Sequence, residues 1–156
     1  MIHPKDKTTT MLSALYEGLK AQVVTDCRTT KEMGHLLHHV STQERIMLLE
    51  HGSGKGLFYR ADDSKEGFDK LIVGHPHAYH LPTHTGNTVA VCCNAFELAR
   101  AEGCHGFVTR MIVSELNEAL LYQVETTQEE LDRENVKLAM RLRTLFDERI
   151  PLTQLQ

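Results

Sequence analysis

The chain has 156 residues, 41% of them hydrophobic and 24% charged, with a formal net charge of −4. These values are globular, so they exclude a disordered, collagen-like or disulfide-scaffold chain, and at this length one domain is the default. The acidic total argues against a dedicated nucleic-acid binder, and no apolar run approaches the roughly 18 residues of a membrane span.

Residues 1–10 (MIHPKDKTTT) are polar, lack the apolar stretch of a secretion signal and are expected to be flexible, with residues 11–156 forming a single domain. Leu12, Leu15, Tyr16 and Leu19 share one helical face, which predicts a first helix from Met11. Residues 22–26 read as a short strand. Thr29 and Glu32 have capping-box spacing and open a second helix with Met33, Leu36, Leu37 and Val40 on one side. Ser41 and Glu44 repeat that spacing, which predicts a third helix through Ile46, Met47 and Leu49, ended by Gly52-Ser53-Gly54-Lys55-Gly56. Those glycines form a turn and not a phosphate loop, because Gly56 stands where a P-loop needs Ser or Thr.

Leu57-Phe58-Tyr59 and Leu71-Ile72-Val73 read as strands, separated by a charged turn over residues 61–67. Pro76 and Pro82 are expected to keep the next stretch out of helix. A fourth helix is predicted over residues 87–102 with Gly103 as its stop, then a buried strand over 106–113 and a short helix over 115–122. Thr126 and Glu129 have capping-box spacing at the start of a long C-terminal helix. Its apolar stripe is Leu131, Leu138, Leu142, Leu145 and Phe146; its other face is charged, and Pro151 stops it. The order implies an α+β fold, a small central sheet flanked by helices, closed by the long C-terminal helix.

Three groups of residues carry candidate chemistry. Ten histidines are many for this length, and His75, His77 and His80 follow a strand as H-x-H-x-x-H. Imidazole is a common zinc ligand, so these three are candidate metal ligands for a hydrolytic centre. The run resembles the metal-binding strand end of the metallo-β-lactamase superfamily, with Tyr79 where that family has aspartate. His35 and His39, four apart on the second helix, have a spacing that also suits a metal. Cys27, Cys92, Cys93 and Cys104 form no C-x-x-C, which points to reduced thiols in a cytoplasm, Cys92 and Cys93 being small apolar filling of a helix.

Residues 86–113 run Gly86-Asn87-Thr88, a helix ending at Gly103, then Gly106-Phe107-Val108. This segment resembles the central part of the GNAT acyltransferase superfamily, in which a turn opens a helix whose N–H groups hold the pyrophosphate of acyl-CoA. The resemblance implies acyl-CoA binding at Gly86, Asn87 and Thr88, and acyl transfer with Tyr122 protonating the departing thiolate. Thr88 replaces a glycine of that turn. The expected function is therefore a small GNAT-like protein acting on acyl-CoA. The alternatives are a metal-dependent hydrolase built on His75, His77 and His80 with zinc, or a non-enzymatic interaction, immunity or accessory protein using its C-terminal helix. The expected partners are a small molecule, a protein or a second copy in a homo-oligomer, with no nucleic acid and no membrane.

Overall fold

The computed structural model describes residues 1–26, 28–60, 70–148 and 152. Cys27, the charged turn at 61–67 and the Pro151 stop lie outside these. The fold is α+β, as expected, but its strands lie where two of the helices were predicted.

Ile46-Met47-Leu48-Leu49 is a strand, β1 (Ile46–Leu49), with all four residues buried. Ser41 and Glu44 do form their capping contact, Ser41 N donating to Glu44 Oε2 at 2.8 Å, but it closes a turn that leads into the strand. Four consecutive apolar residues suit a parallel strand covered on both faces as well as a buried helix. The second correction has the same origin. Residues 88–91 form β5 (Thr88–Val91), whose β-branched Thr88, Val89 and Val91 favour the pleated backbone; the helix begins only at α3 (Ala95–Glu102). Gly103, at φ 66°, ends α3 as predicted. Parallel to β5 runs β6 (Gly106–Val108), giving a parallel sheet in the order β1-β5-β6.

Between β1 and β5 the chain makes an antiparallel meander, β2 (His51–Ser53), β3 (Gly56–Tyr59) and β4 (Lys70–Gly74). The glycines at 52–56 therefore belong to a hairpin. Beyond it, Pro76 sits in the first turn of the short helix α2 (His75–Ala78), where its missing N–H has no partner to lose. Pro82 does the same in a 3-10 turn over Leu81–His84.

The start of the chain is structural. Ile2 bridges Val24 and Leu48, its N–H donating to Met47 O at 2.8 Å and its carbonyl accepting from Leu49 N at 2.9 Å. Ile2 and His3 are fully buried, in backbone pairing that the polar composition of residues 1–10 concealed. The first helix shrinks to a 3-10 turn over Thr10–Leu15, burying Leu12 and Leu15 and leaving Leu19 exposed.

Alternation along β1 and β5 builds two cores. Ile46, Leu48 and Ala90 face α1 (Thr30–His38), with its Met33 and Leu37, and Leu57, Ile72 and Val73 of the meander. Met47, Leu49, Val89 and Val91 face Leu12, Leu15 and Leu142 and Phe146 of α5 (Gln128–Asp147). The box opening α5 is Thr127 with Glu130, one residue beyond the prediction, Thr127 Oγ1 accepting from Glu130 N at 3.2 Å. Its buried stripe is Ala139, Leu142 and Phe146, whereas Leu138 is exposed. Arg143 Nη1 donates to Glu17 O at 2.9 Å and ties the helix to the N-terminal turn. Before α5, α4 (Leu116–Leu121) occupies the predicted place.

Candidate metal centre

Strand β1 ends by delivering Glu50 and His51 to the carboxyl edge of the parallel sheet, where β5 delivers Cys92 and Cys93. Carboxyl ends of parallel strands are where α/β folds commonly place their sites, because side chains there leave the ladder for a loop-lined crevice. Asp6 reaches the same place from the N-terminal segment. Its Oδ1 accepts from the N–H groups of Thr8 and Thr9 at 2.9 and 3.0 Å and from both threonine hydroxyls. That turn points Oδ2 at His51 Nε2, at 2.5 Å, and at Arg60 Nε, which donates to it at 3.2 Å. Arg60 follows β3, two residues past Phe58, the register partner of His51. Its other nitrogens donate to Thr8 Oγ1 and to both oxygens of Glu115, at 3.2–3.4 Å.

Glu50 is the unusual member. Its side chain has no solvent exposure. Oε1 accepts from Thr9 Oγ1 at 3.2 Å and lies 3.7 Å from His51 Nε2. Oε2 is buried with no hydrogen-bond partner among the described residues. Burial, then the charge of Asp6, pushes the Glu50 carboxyl up to about 8. Asp6 goes the other way: burial works against its charge, but the hydrogen bond and charge of His51 and the hydroxyls of Thr8 and Thr9 outweigh it and hold it well below the usual carboxylate range.

Donor atoms of Asp6, Glu50 and His51 all lie within 4.8 Å of one another. Beside them a void of about 20 Å³ is bounded by Thr9, Glu50, His51, Cys92, Cys93 and Ser114, room for one water or one ion. Thr8 and Glu115 also line a groove of about 580 Å³ between the N-terminal segment, α4 and α5, with Lys7, Met11, Gln128 and Asn135. The centre therefore backs onto a cavity of small-molecule size.

The hydrogen bonding decides between two chemistries. In a nucleophile–His–Asp relay the two ring nitrogens serve different partners. Here Asp6 and Thr8 Oγ1, at 3.2 Å, meet the same nitrogen, Nε2, so no relay to Thr8 forms. The thiols are not activated either: burial, then Cys93 and Glu50, pushes Cys92 up to about 12, and burial raises Cys93. Two carboxyl groups and one imidazole converging on one point are a donor set of the kind that could hold a divalent cation.

The residues singled out from sequence are placed differently. His75 is exposed, its Nδ1 2.8 Å from Glu102 Oε1. His77 is buried; Gly74 N donates to its Nδ1 at 3.2 Å, and its Nε2 faces Thr30 O at 3.1 Å. Both nitrogens are therefore spent on backbone, and the ring caps α2. His80 is buried with Nε2 unpartnered among the described residues. Alternation in an extended strand would have placed His75 and His77 on one side; the helical turn turns them apart, and the three donate no common point. Gly86, Asn87 and Thr88 lead into β5 instead of opening a helix. Gly86 N donates to His105 O, Asn87 N to His84 O, and Asn87 O accepts from Ile46 N. The N–H array expected to hold a pyrophosphate is thus not formed there. Tyr122 caps α4, half exposed, and does not line the groove. Asp6, Glu50, His51 and Arg60 escaped the sequence reading; the one local signal was a Glu-His pair directly after four apolar residues. No family model matches this chain, and neither the curated proteins nor the solved structures contain a significantly similar one.

Proposed function

We propose that this protein is a divalent-metal-dependent hydrolase whose metal ligands are Asp6, Glu50 and His51. The observation that carries the reading is Glu50 Oε2, a carboxyl oxygen buried without a partner among the described residues, inside a converging donor set. A purely structural ion-pair network gains nothing from such an atom, since an unsatisfied buried acceptor costs roughly 1–3 kcal/mol. A cation would satisfy it, and Lewis-acid activation of water is the chemistry such an ion supplies.

The chain's own residues do the rest. Asp6 is kept ionised by His51, Thr8 and Thr9. The proton held on Glu50 would leave when a cation binds, so binding strengthens with pH up to about 8, where Glu50 titrates. Arg60, bridging Asp6 and Glu115, holds the centre against the groove wall, and the groove takes the substrate.

The test is calorimetric titration of chelator-stripped protein with Mn²⁺ and Zn²⁺ at pH 6, 7 and 8. One equivalent should bind, more tightly at each step of pH, and Glu50→Gln should weaken it by about tenfold or more. Metal-dependent cleavage of nitrophenyl esters and phosphoesters should disappear in the same variant. Stripped wild-type protein that binds neither ion at pH 8 overturns the reading.

A further inference from the structure

The second unpartnered buried nitrogen lies elsewhere. His80, 6% exposed, follows α2, and its Nε2 has no hydrogen-bond partner among the described residues. Its ring meets His38, on the last turn of α1, with centroids 5.8 Å apart and planes at 63°. His38 in turn meets His39 at 5.2 Å, and His39 meets His35 at 4.2 Å. A file of four imidazoles thus runs from the buried His80 out along the exposed face of α1. We propose that His38 and His80 form a second, independent site for a borderline transition-metal ion of the Cu²⁺, Ni²⁺ or Zn²⁺ class.

Geometry supports the pair. With nitrogen–metal distances of about 2 Å, two imidazoles on one ion have ring centroids roughly 5–6 Å apart. Chemistry supports it as well. Burial, then the neighbouring His38, His77 and His84, lowers the His80 pKa, which favours the neutral ring and its free lone pair. His77 cannot compete for the ion, because both its nitrogens are engaged by backbone. His84 sits with Nδ1 3.4 Å from Glu44 O. Next along the file, His39 Nδ1 faces the carbonyl of His35 at 2.7 Å. Only an N–H satisfies a carbonyl, so the His39 lone pair is on Nε2, the arrangement in which backbone carbonyls orient metal-binding imidazoles. Among the described residues no third donor joins His38 and His80 within 4.8 Å, so water completes the coordination. An all-imidazole donor set selects Cu²⁺, Ni²⁺ or Zn²⁺ over Mn²⁺, Mg²⁺ or Ca²⁺. This separates the site from the carboxylate-rich centre at Asp6, Glu50 and His51.

The experiment is electron paramagnetic resonance of the full chain loaded with one equivalent of Cu²⁺, beside a Cu²⁺ titration in the presence of excess Mn²⁺. Coupling to two imidazole nitrogens is expected, unmoved by Mn²⁺, by Glu50→Gln and by His75→Ala. His38→Ala, at an exposed position that leaves folding intact, should remove one coupling and weaken binding about tenfold or more; His80→Ala should do the same if it folds. A wild-type signal with one nitrogen or none, a His38→Ala protein that binds as the wild type does, or a signal lost in Glu50→Gln overturns the proposal.

Discussion

Glu50 carries the clearest prediction at the scale of a single residue. Its carboxyl is raised from an ordinary 4.5 to about 8 in the folded chain. Below pH 4.5 it is protonated folded and unfolded alike and contributes nothing to the pH dependence. Between 4.5 and 8 the unfolded chain gives up the proton and the folded chain keeps it, so this group costs stability as pH rises. Glu50→Gln abolishes that cost. The variant should melt close to wild type at pH 4 and well above it at pH 8, a difference on the order of 4 kcal/mol, read from urea melts of metal-free protein at the two pH values. Asp6 has the opposite sign. Its depressed pKa stabilises the fold above the ordinary carboxylate value and that contribution fades as pH falls below it. Asp6→Asn should therefore flatten the acid limb of the same stability profile. Equal melts of Glu50→Gln and wild type at pH 8 would mean that the Glu50 carboxyl is not raised.

At the scale of the element, α5 separates burial from periodicity. Leu138 and Leu142 share a helical stripe in the sequence, yet Leu142 is 6% exposed and Leu138 38%. Sequence spacing defines the apolar arc; only the neighbour defines which edge of the arc is covered. The 3-10 turn at Thr10–Leu15 and the aromatic edge contact of Phe146 with Phe107, centroids 5.6 Å apart, lie on the Leu142 side. Leu142→Ala should cost about 2–5 kcal/mol by cavity formation, and Leu138→Ala less than about 1 kcal/mol, in parallel denaturant melts. A larger loss from Leu138→Ala would place a partner on that edge. Removing the cap with Thr127→Ala should cost about 1 kcal/mol. The helix spends its buried face inside the domain; large exposed apolar side chains remain on its outer edge, at Val136, Leu138 and Met140, and on and after α4, at Leu120, Leu121 and Tyr122.

Over the whole molecule, the N-terminal segment is the piece on which both fold and centre depend. Ile2 pairs with β1 and with Val24, and four residues later Asp6 meets His51 and Arg60. Ile2→Ala should thus lower stability by about 2–5 kcal/mol and also weaken Mn²⁺ binding, because Asp6 loses its anchor. A variant that loses stability but binds Mn²⁺ as wild type would show that the threonine turn alone positions Asp6. Several elements needed only the chain itself. The capping box opening α1, the Gly103 stop, the strands β3 and β4 and the short helix α4 all follow from interactions within a few residues, which any local stretch of chain can express. Strand or helix for Ile46–Leu49 and Thr88–Val91 was decided by tertiary structure. A wholly apolar run has no period of its own, and here the partner strand supplied it. The centre was decided there too. Asp6, Glu50, His51 and Arg60 are separated by up to 54 positions, and apart from the Glu50-His51 pair directly after four apolar residues nothing in their local sequence distinguishes them from solvated surface charges. Only folding removes them from water, and that removal raises the Glu50 carboxyl and leaves one of its oxygens without a partner among the described residues.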